Sequence, residues 1–189
     1  MSGAWTVVAA STCVALLAVA GCSSSEGTGG AVPPWAASLG PGVTVEAPAF
    51  APVKGSPQAV VTAYVHTLDS RNFAGACGYA VPSDQAACES SIAENGNQHA
   101  MPPGDSYNGF AVGYTLIDGH QALVGATGQL CVLTQAQTCV GNSDPAAVLD
   151  SGKSFAALWT RAVDAPSDAY SPIPCVQVNG TWYLDLAGA

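Results

Sequence analysis

A chain of 189 residues with four Lys or Arg against thirteen Asp or Glu carries a formal charge of −9. That balance excludes the phosphate-neutralising surfaces on which nucleic-acid binding depends. The length suits one domain with its own core rather than two.

The chain opens on an apolar run, Ala4 to Ala20, with Ser11, Thr12 and Cys13 inside it. At about seventeen residues it is short for a membrane span, which needs roughly twenty. It matches the apolar core of an export signal, which closes on small residues. The run ends in Val19-Ala20-Gly21-Cys22 and is followed by Ser23-Ser24-Ser25. These four residues resemble the lipobox of bacterial lipoproteins: an aliphatic residue, two small ones, then the cysteine that takes the lipid. The resemblance implies removal of residues 1–21 and lipidation of Cys22. It also implies a place at the outer face of the cell membrane, since two or more acyl chains anchor stably. Residues 1–20 contain no Lys or Arg, a departure from the usual basic start of such signals.

Residues 22–55 read as a tether. Ser23 to Ala31 is Ser- and Gly-rich, which gives a flexible coil. The stretch from Val32 onward holds Pro33, Pro34, Pro41, Pro48 and Pro52, a spacing that favours extended chain. Trp35 and Phe50 interrupt it, and both are expected to tuck against the following domain.

The domain is expected over residues 56–189. Ser56-Pro57 is a helix start, an N-cap serine before a proline at the first helical position. Val61, Tyr64, Val65 and Leu68 follow at helical spacing and predict a helix from Pro57 to Ser70. A second short helix is expected from Phe73 to Tyr79. A third runs from Asp84 to Glu94, capped by Ser83 and stopped by Gly96. The pattern then changes to strands. Phe110–Ile117 and His120–Thr127 flank an Asp118-Gly119 turn, with Gly128 a bulge or bend. Gln129–Leu133 and Thr138–Gly141 form a second hairpin, and Asn142–Gly152 a loop. Phe155, Leu158, Trp159 and Ala162 suit a short helix. Val176–Val178 and Thr181–Leu186 close a third hairpin on Asn179-Gly180, a type I′ pair. Trp182, Leu184 and Leu186 share one face of it.

Helices first and antiparallel strands afterwards predict an α+β layer with the helices on one face of the sheet. The segment SPQAVVTAYVHTLDSRNF from Ser56 to Phe73, the cysteine-bearing stretch Ala74–Glu89 and the terminal VQVNGTWYLDL resemble the nuclear-transport-factor-2-like, cystatin-like cone fold. They are similar above all to small actinobacterial lipoproteins carrying such domains. The resemblance implies a curved sheet with a pocket between its concave face and the helices. Tyr64, Phe73, Tyr114, Trp159, Trp182 and Tyr183 are the candidates to line it, with core packing the default for each. The superfamily includes isomerases and dehydratases as well as non-catalytic binding domains, so the fold does not decide the function.

Setting aside Cys13 and Cys22 leaves five cysteines, and export permits disulfides. Cys77 and Cys88 flank the turn between the second and third helices. Cys131 and Cys139 sit opposite each other if their hairpin turns around Gln135. Cys175 is the odd one, either buried or a competitor for Cys139. No Cys-x-x-Cys spacing and no histidine at ligand spacing suggests a metal site.

Chemistry is thinly represented. Ala147–Ser154 ends in Gly152-Lys153-Ser154 but has alanine where a phosphate loop needs glycine. No nucleophile elbow and no Ser-x-x-Lys occurs. His66 and Asp69 form an i, i+3 pair that could begin acid–base chemistry, though a solvated helix edge explains them as well. His99 is expected in a surface loop, and His120 at the surface just after the Asp118-Gly119 turn. Tyr64 with Asp185 is a conceivable acid–base pair. The expected function is therefore a membrane-anchored, non-catalytic binding or accessory domain, without cofactor. Its partner is a small apolar ligand or an envelope protein. The alternatives are an isomerase- or dehydratase-like enzyme on the same cone, and a structural accessory of an envelope complex.

Overall fold

The computed structural model describes residues 33–95, 106–132, 138–144, 146, 152–164 and 172–186. The expected signal and lipidation site at Cys22, the His99 segment and Ala147 lie outside the described residues. The described residues form an α+β fold: four α-helices and an open sheet of six strands, each paired antiparallel with its neighbours.

The first helix, α1 (Pro57–Asp69), starts where its sequence directs. Ser56 accepts the Ala59 N–H on its hydroxyl at 3.2 Å, and Pro57 occupies a position whose N–H has no helical partner. Val61, Val65 and Leu68 are its buried stripe. Arg71, in the left-handed region at φ 62°, turns the chain into α2 (Phe73–Cys77). Asn72 caps α2 by accepting the Gly75 N–H at 3.0 Å. The third helix, α3 (Gln85–Asn95), begins differently from expectation. Ser83 donates its hydroxyl to the Asp84 carboxylate at 2.8 Å rather than capping the helix. The Cys77–Cys88 disulfide clamps α3 to α2.

The sheet is built around one long hairpin of β2 (Ser106–Asp118) and β3 (Gln121–Val132). Its turn is one residue later than predicted. Gly119 and His120 are the two central residues between the paired Asp118 and Gln121, and Gly119 has φ 58°. A positive φ at the first central position alone is the II′ pattern, which needs glycine there. The strand predicted to stop near Gly128 continues through it. Along its other edge β3 pairs at residues 121–124 with β5 (Ile173–Val178) and at residues 128–132 with β4 (Thr138–Asn142). The last strand, β6 (Thr181–Leu184), pairs with β5 across Asn179-Gly180, both at positive φ as a type I′ turn requires. Tyr79 to Val81 covers the outer edge of β6 through the Leu184 N–H to Tyr79 O bond at 2.8 Å and the Val81 N–H to Leu184 O bond at 3.1 Å.

Two corrections follow from the packing. The helices do not all lie on one face. Ala122 and Val124 pack with Val61 of α1, Trp182 and Leu184. Leu123, which points the other way by strand alternation, packs with Leu116 and with Phe155, Leu158 and Ala162 of α4 (Phe155–Asp164). The amphipathic stripe of α4 therefore needs its own sheet face to bury against.

The second correction concerns the expected tether. From Pro33 on, its first half is folded. Pro34–Ser38 forms a 3₁₀ helix, Leu39 is buried beside Phe155, and Trp35 meets Tyr114 edge-on at 5.6 Å. Residues Thr44–Glu46 form β1, paired with Thr115–Ile117 at the sheet edge. Apolar side chains under the proline-rich composition are what bind this stretch to the sheet. Trp35 thus tucks against the domain as expected, whereas Phe50 stands in solvent.

Candidate functional site

The space between α1 and the sheet, where the cone resemblance places a pocket, is occupied by side chains. Val61, Val112, Val124, Cys175, Trp182 and Leu184 fill it. Tyr64 packs edge-on to Tyr79 at 6.5 Å and also touches the Leu68–Phe73–Ala76 cluster. Burial, then the neighbouring Tyr107 hydroxyl, pushes the Tyr64 phenol up to about 12.

The six aromatic residues expected to line one pocket do not converge. Tyr64, Phe73 and Trp182 belong to the clusters on the α1 side. Tyr114 and Trp159 pack on the α4 side, Trp159 stacked on Phe155 at 6.1 Å. Tyr183 lies opposite Val176 and points away from the face of Trp182 and Leu184. Strand alternation decides this division, and the faces are separated by the sheet itself.

The expected acid–base pairs are likewise engaged elsewhere. Asp69 accepts the Tyr107 backbone N–H at 3.1 Å, and His66 is exposed on the helix. Asp185 is an electrostatic neighbour of Cys175, while that of Tyr64 is Tyr107. His120 shares a hydrogen bond between Nδ1 and Gln177 Oε1 at 3.0 Å beside two turns. Cys175 is wholly buried; burial first, then the Asp185 carboxylate, raises its thiol pKa. A thiol so placed is a packing group, not a nucleophile. The Cys131–Cys139 disulfide joins directly opposed residues of β3 and β4, and Cys77 pairs with Cys88, so Cys175 competes with neither pair. Among the described residues no three His, Cys, Asp or Glu side chains gather as metal ligands.

A cleft does exist at the end of the sheet away from the Asp118–Gln121 turn. It measures about 510 Å³ and is lined by Asn108, Gly109, Thr127, Gly128 and Gln129, with Gly141 and Ser143 from β4 and just beyond it. The cleft follows from a bulge. The register of β2 against β3 slips between Asn108 and Ala111, where Gly109 has φ 62°. Opposite it, Gly128 has φ 120°, and a Cβ there would stand 2.9 Å from the Gly109 oxygen. A Cβ at Gly141 would stand 2.5 Å from Gln129 Cγ. Only glycine lets three strands approach this closely while leaving backbone open at the surface. Asn108 Nδ2 donates to Cys131 Sγ at 3.1 Å, and the Thr127 hydroxyl donates to Ala111 O at 3.2 Å. Among the described residues the lining offers two carboxamides, two hydroxyls and peptide groups, and none of these four side chains ionises between pH 2 and 12. Such a set can orient a polar ligand by hydrogen bonds. Of these residues the sequence singles out Gly128 alone, as a bulge or bend; the pairing of β2, β3 and β4 brings the others to it.

No protein-family model matches this chain, and neither curated proteins nor solved structures provide a match to it.

Proposed function

We propose that this chain is a lipid-anchored domain on the outer face of the cell membrane that binds a polar ligand or an envelope-protein segment in the cleft beside β4. The observation that carries the reading is the cleft's lining: amides, hydroxyls and open backbone over a glycine floor, without an ionisable side chain among the described residues. Binding sites need a few placed polar groups, whereas acid–base enzymes need a titrating one. Among the described residues the space between α1 and the sheet is filled by side chains, which turns the reading towards polar partners.

The anchoring part rests on Val19-Ala20-Gly21-Cys22 after an apolar run, and on two disulfides, which suit an oxidising compartment. The likeness to the nuclear-transport-factor-2-like cone is supported by the order of α1 to α3 before strands β2 to β6. Two register shifts in β2 also support it, because bulges bend a strand. The second covered face is a departure from that likeness.

The test is native mass spectrometry of the full chain exported by a lipidating bacterial host and extracted from its membranes. A diacylglyceryl mass on Cys22, with a further mass that leaves on denaturation and is missing from Gln129→Ala, supports the proposal. An added mass that persists in Gln129→Ala moves the site away from the cleft. A bare lipidated chain overturns the binding reading, and an unlipidated Cys22 overturns the anchoring.

A further inference from the structure

Among the described residues two large apolar side chains are exposed, Phe50 at 108% and Val53 at 77% of their open-chain area. Both sit on the connection between β1 and α1, residues 47–55. Its base is pinned. Gln58 Nε2, on a buried side chain, donates to Ala47 O at 3.2 Å, and the Ser56 N–H donates to Val53 O at 3.0 Å. Pro48 and Pro52 flank Phe50, each fixing its own φ and lacking an N–H. The connection therefore presents its apolar tip from a held base.

Lys54 is the Lys or Arg residue of this chain with no carboxylate within three residues of it in sequence. Between Glu46 and Asp69 there is no carboxylate, and Lys54, exposed, is one of only four Lys or Arg residues. In a chain of net charge −9, a carboxylate-free span that carries an exposed cation can approach phosphate headgroups without repulsion. Reach is sufficient as well. Cys22 lies eleven residues before Pro33, which extends to about 40 Å. A domain of this size has a radius of gyration of about 15 Å, so such a leash lets any part of its surface meet the bilayer.

We propose that residues 47–55 form a membrane-touching loop: Phe50 and Val53 enter the headgroup–acyl boundary and Lys54 pairs with lipid phosphate. The inference rests on the lipid-anchoring reading above. Two side chains are too small an anchor to recruit a free domain, but they dock one already held at the surface, where the local concentration is high. The docked loop fixes which face of the domain points outward.

Trypsin tests this, because the chain offers four cleavage sites, Lys54, Arg71, Lys153 and Arg161, all exposed. The full lipidated chain is placed in phosphatidylcholine–phosphatidylglycerol vesicles and compared with the unlipidated Cys22→Ala chain beside the same vesicles. Cutting after Lys54 should slow by about tenfold in the lipidated chain while cutting after Lys153 holds within about twofold. Phe50→Ser with Val53→Ser should restore cutting at Lys54 although the chain still sediments with the vesicles. Equal cutting at Lys54 in a chain whose mass shows lipid on Cys22 overturns the loop alone. An intact mass without lipid overturns the anchoring reading and the loop with it. Protection in whole envelopes but not in vesicles overturns the membrane in favour of a protein occupant.

Discussion

Asp69, the last residue of α1, accepts the backbone N–H of Tyr107, the second residue of β2, at 3.1 Å. A carboxylate that sequence spacing pairs with His66 is instead a tie between the helical layer and the start of the central hairpin. Asp69→Ala should cost about 0.5–1.5 kcal/mol, the net worth of one such bond. Asp69→Asn, which keeps a carbonyl acceptor, should recover most of it. Urea denaturation of both variants reads the difference, and equal stability of Ala and wild type would remove the tie from the account.

The Cys77–Cys88 bridge closes a short loop and joins α2, which has only five residues, to α3. Cross-linking restricts the unfolded chain, and for a loop this short the entropic model gives about 3 kcal/mol. Cys77→Ser with Cys88→Ser should lower stability by roughly that amount. Cys77 is fully buried, so the double variant also leaves a hydroxyl in an apolar site. An unchanged melting temperature would show the pair unbridged in the native protein.

The start of α1 and the last hairpin were legible because each is decided by neighbours in sequence. Ser56-Pro57 and Asn179-Gly180 carry their own backbone geometry, and the structure uses both. The Cys131–Cys139 pairing was legible for the same reason, being a matter of hairpin register. What local rules could not reach is where tertiary partners decide. Proline-rich composition reads as spacer, yet Trp35 and Leu39 bury against Tyr114 and Phe155, residues far along the chain. The six aromatic pocket candidates divide between two faces because the strands' alternation, not their aromaticity, sets their direction. The cleft was invisible because its walls come from three strands brought into register by a bulge that adjacent residues do not announce.

Tyr64 and Cys175 give the fold a pH limit on the alkaline side. Both groups are neutral when protonated, and both are held above their ordinary values, Tyr64 from 10.0 to about 12. The unfolded chain therefore loses these protons first as pH rises. Stability is fully present below the unfolded values and declines through the window between unfolded and folded ones. Tyr64 contributes its loss between pH 10 and about 12, and Cys175 begins its own near 9.0. Tyr64→Phe should flatten the decline above pH 10 by about 1.4 kcal/mol at pH 11, the equivalent of one pKa unit. Urea titrations at steps from pH 8 to 11 show it, and parallel curves for the two proteins would contradict the assignment.

Thr115 is buried in β2 opposite Val124, and its hydroxyl has no hydrogen-bond partner among the described residues. A buried hydroxyl without a partner costs what its dehydration costs. Thr115→Val replaces it with a methyl group of nearly the same shape, so the variant should be more stable by about 1 kcal/mol. Thermal unfolding checks this. A less stable variant would mean that the hydroxyl is satisfied in solution by a group such as an ordered water.

Gly128 is where fold and site depend on the same atom. Its φ of 120° lies where L side chains rarely go, and a Cβ would meet Gly109 O and Phe110 Cα at 2.9 Å, both backbone. No flexible side chain can yield, so Gly128→Ala must move β2 away from β3 or flatten the bulge. The expected cost is about 1–3 kcal/mol for the forced backbone conformation alone. Gly109 also has a positive φ, but a Cβ there meets nothing within 4 Å. Gly109→Ala should therefore cost only the strain of its backbone conformation and preserve the cleft. The pair separates stability from shape. If the cleft binds as proposed, both variants are destabilised, while Gly109→Ala retains the bound mass in native mass spectrometry and Gly128→Ala loses it. Retention by both would detach ligand binding from the bulge.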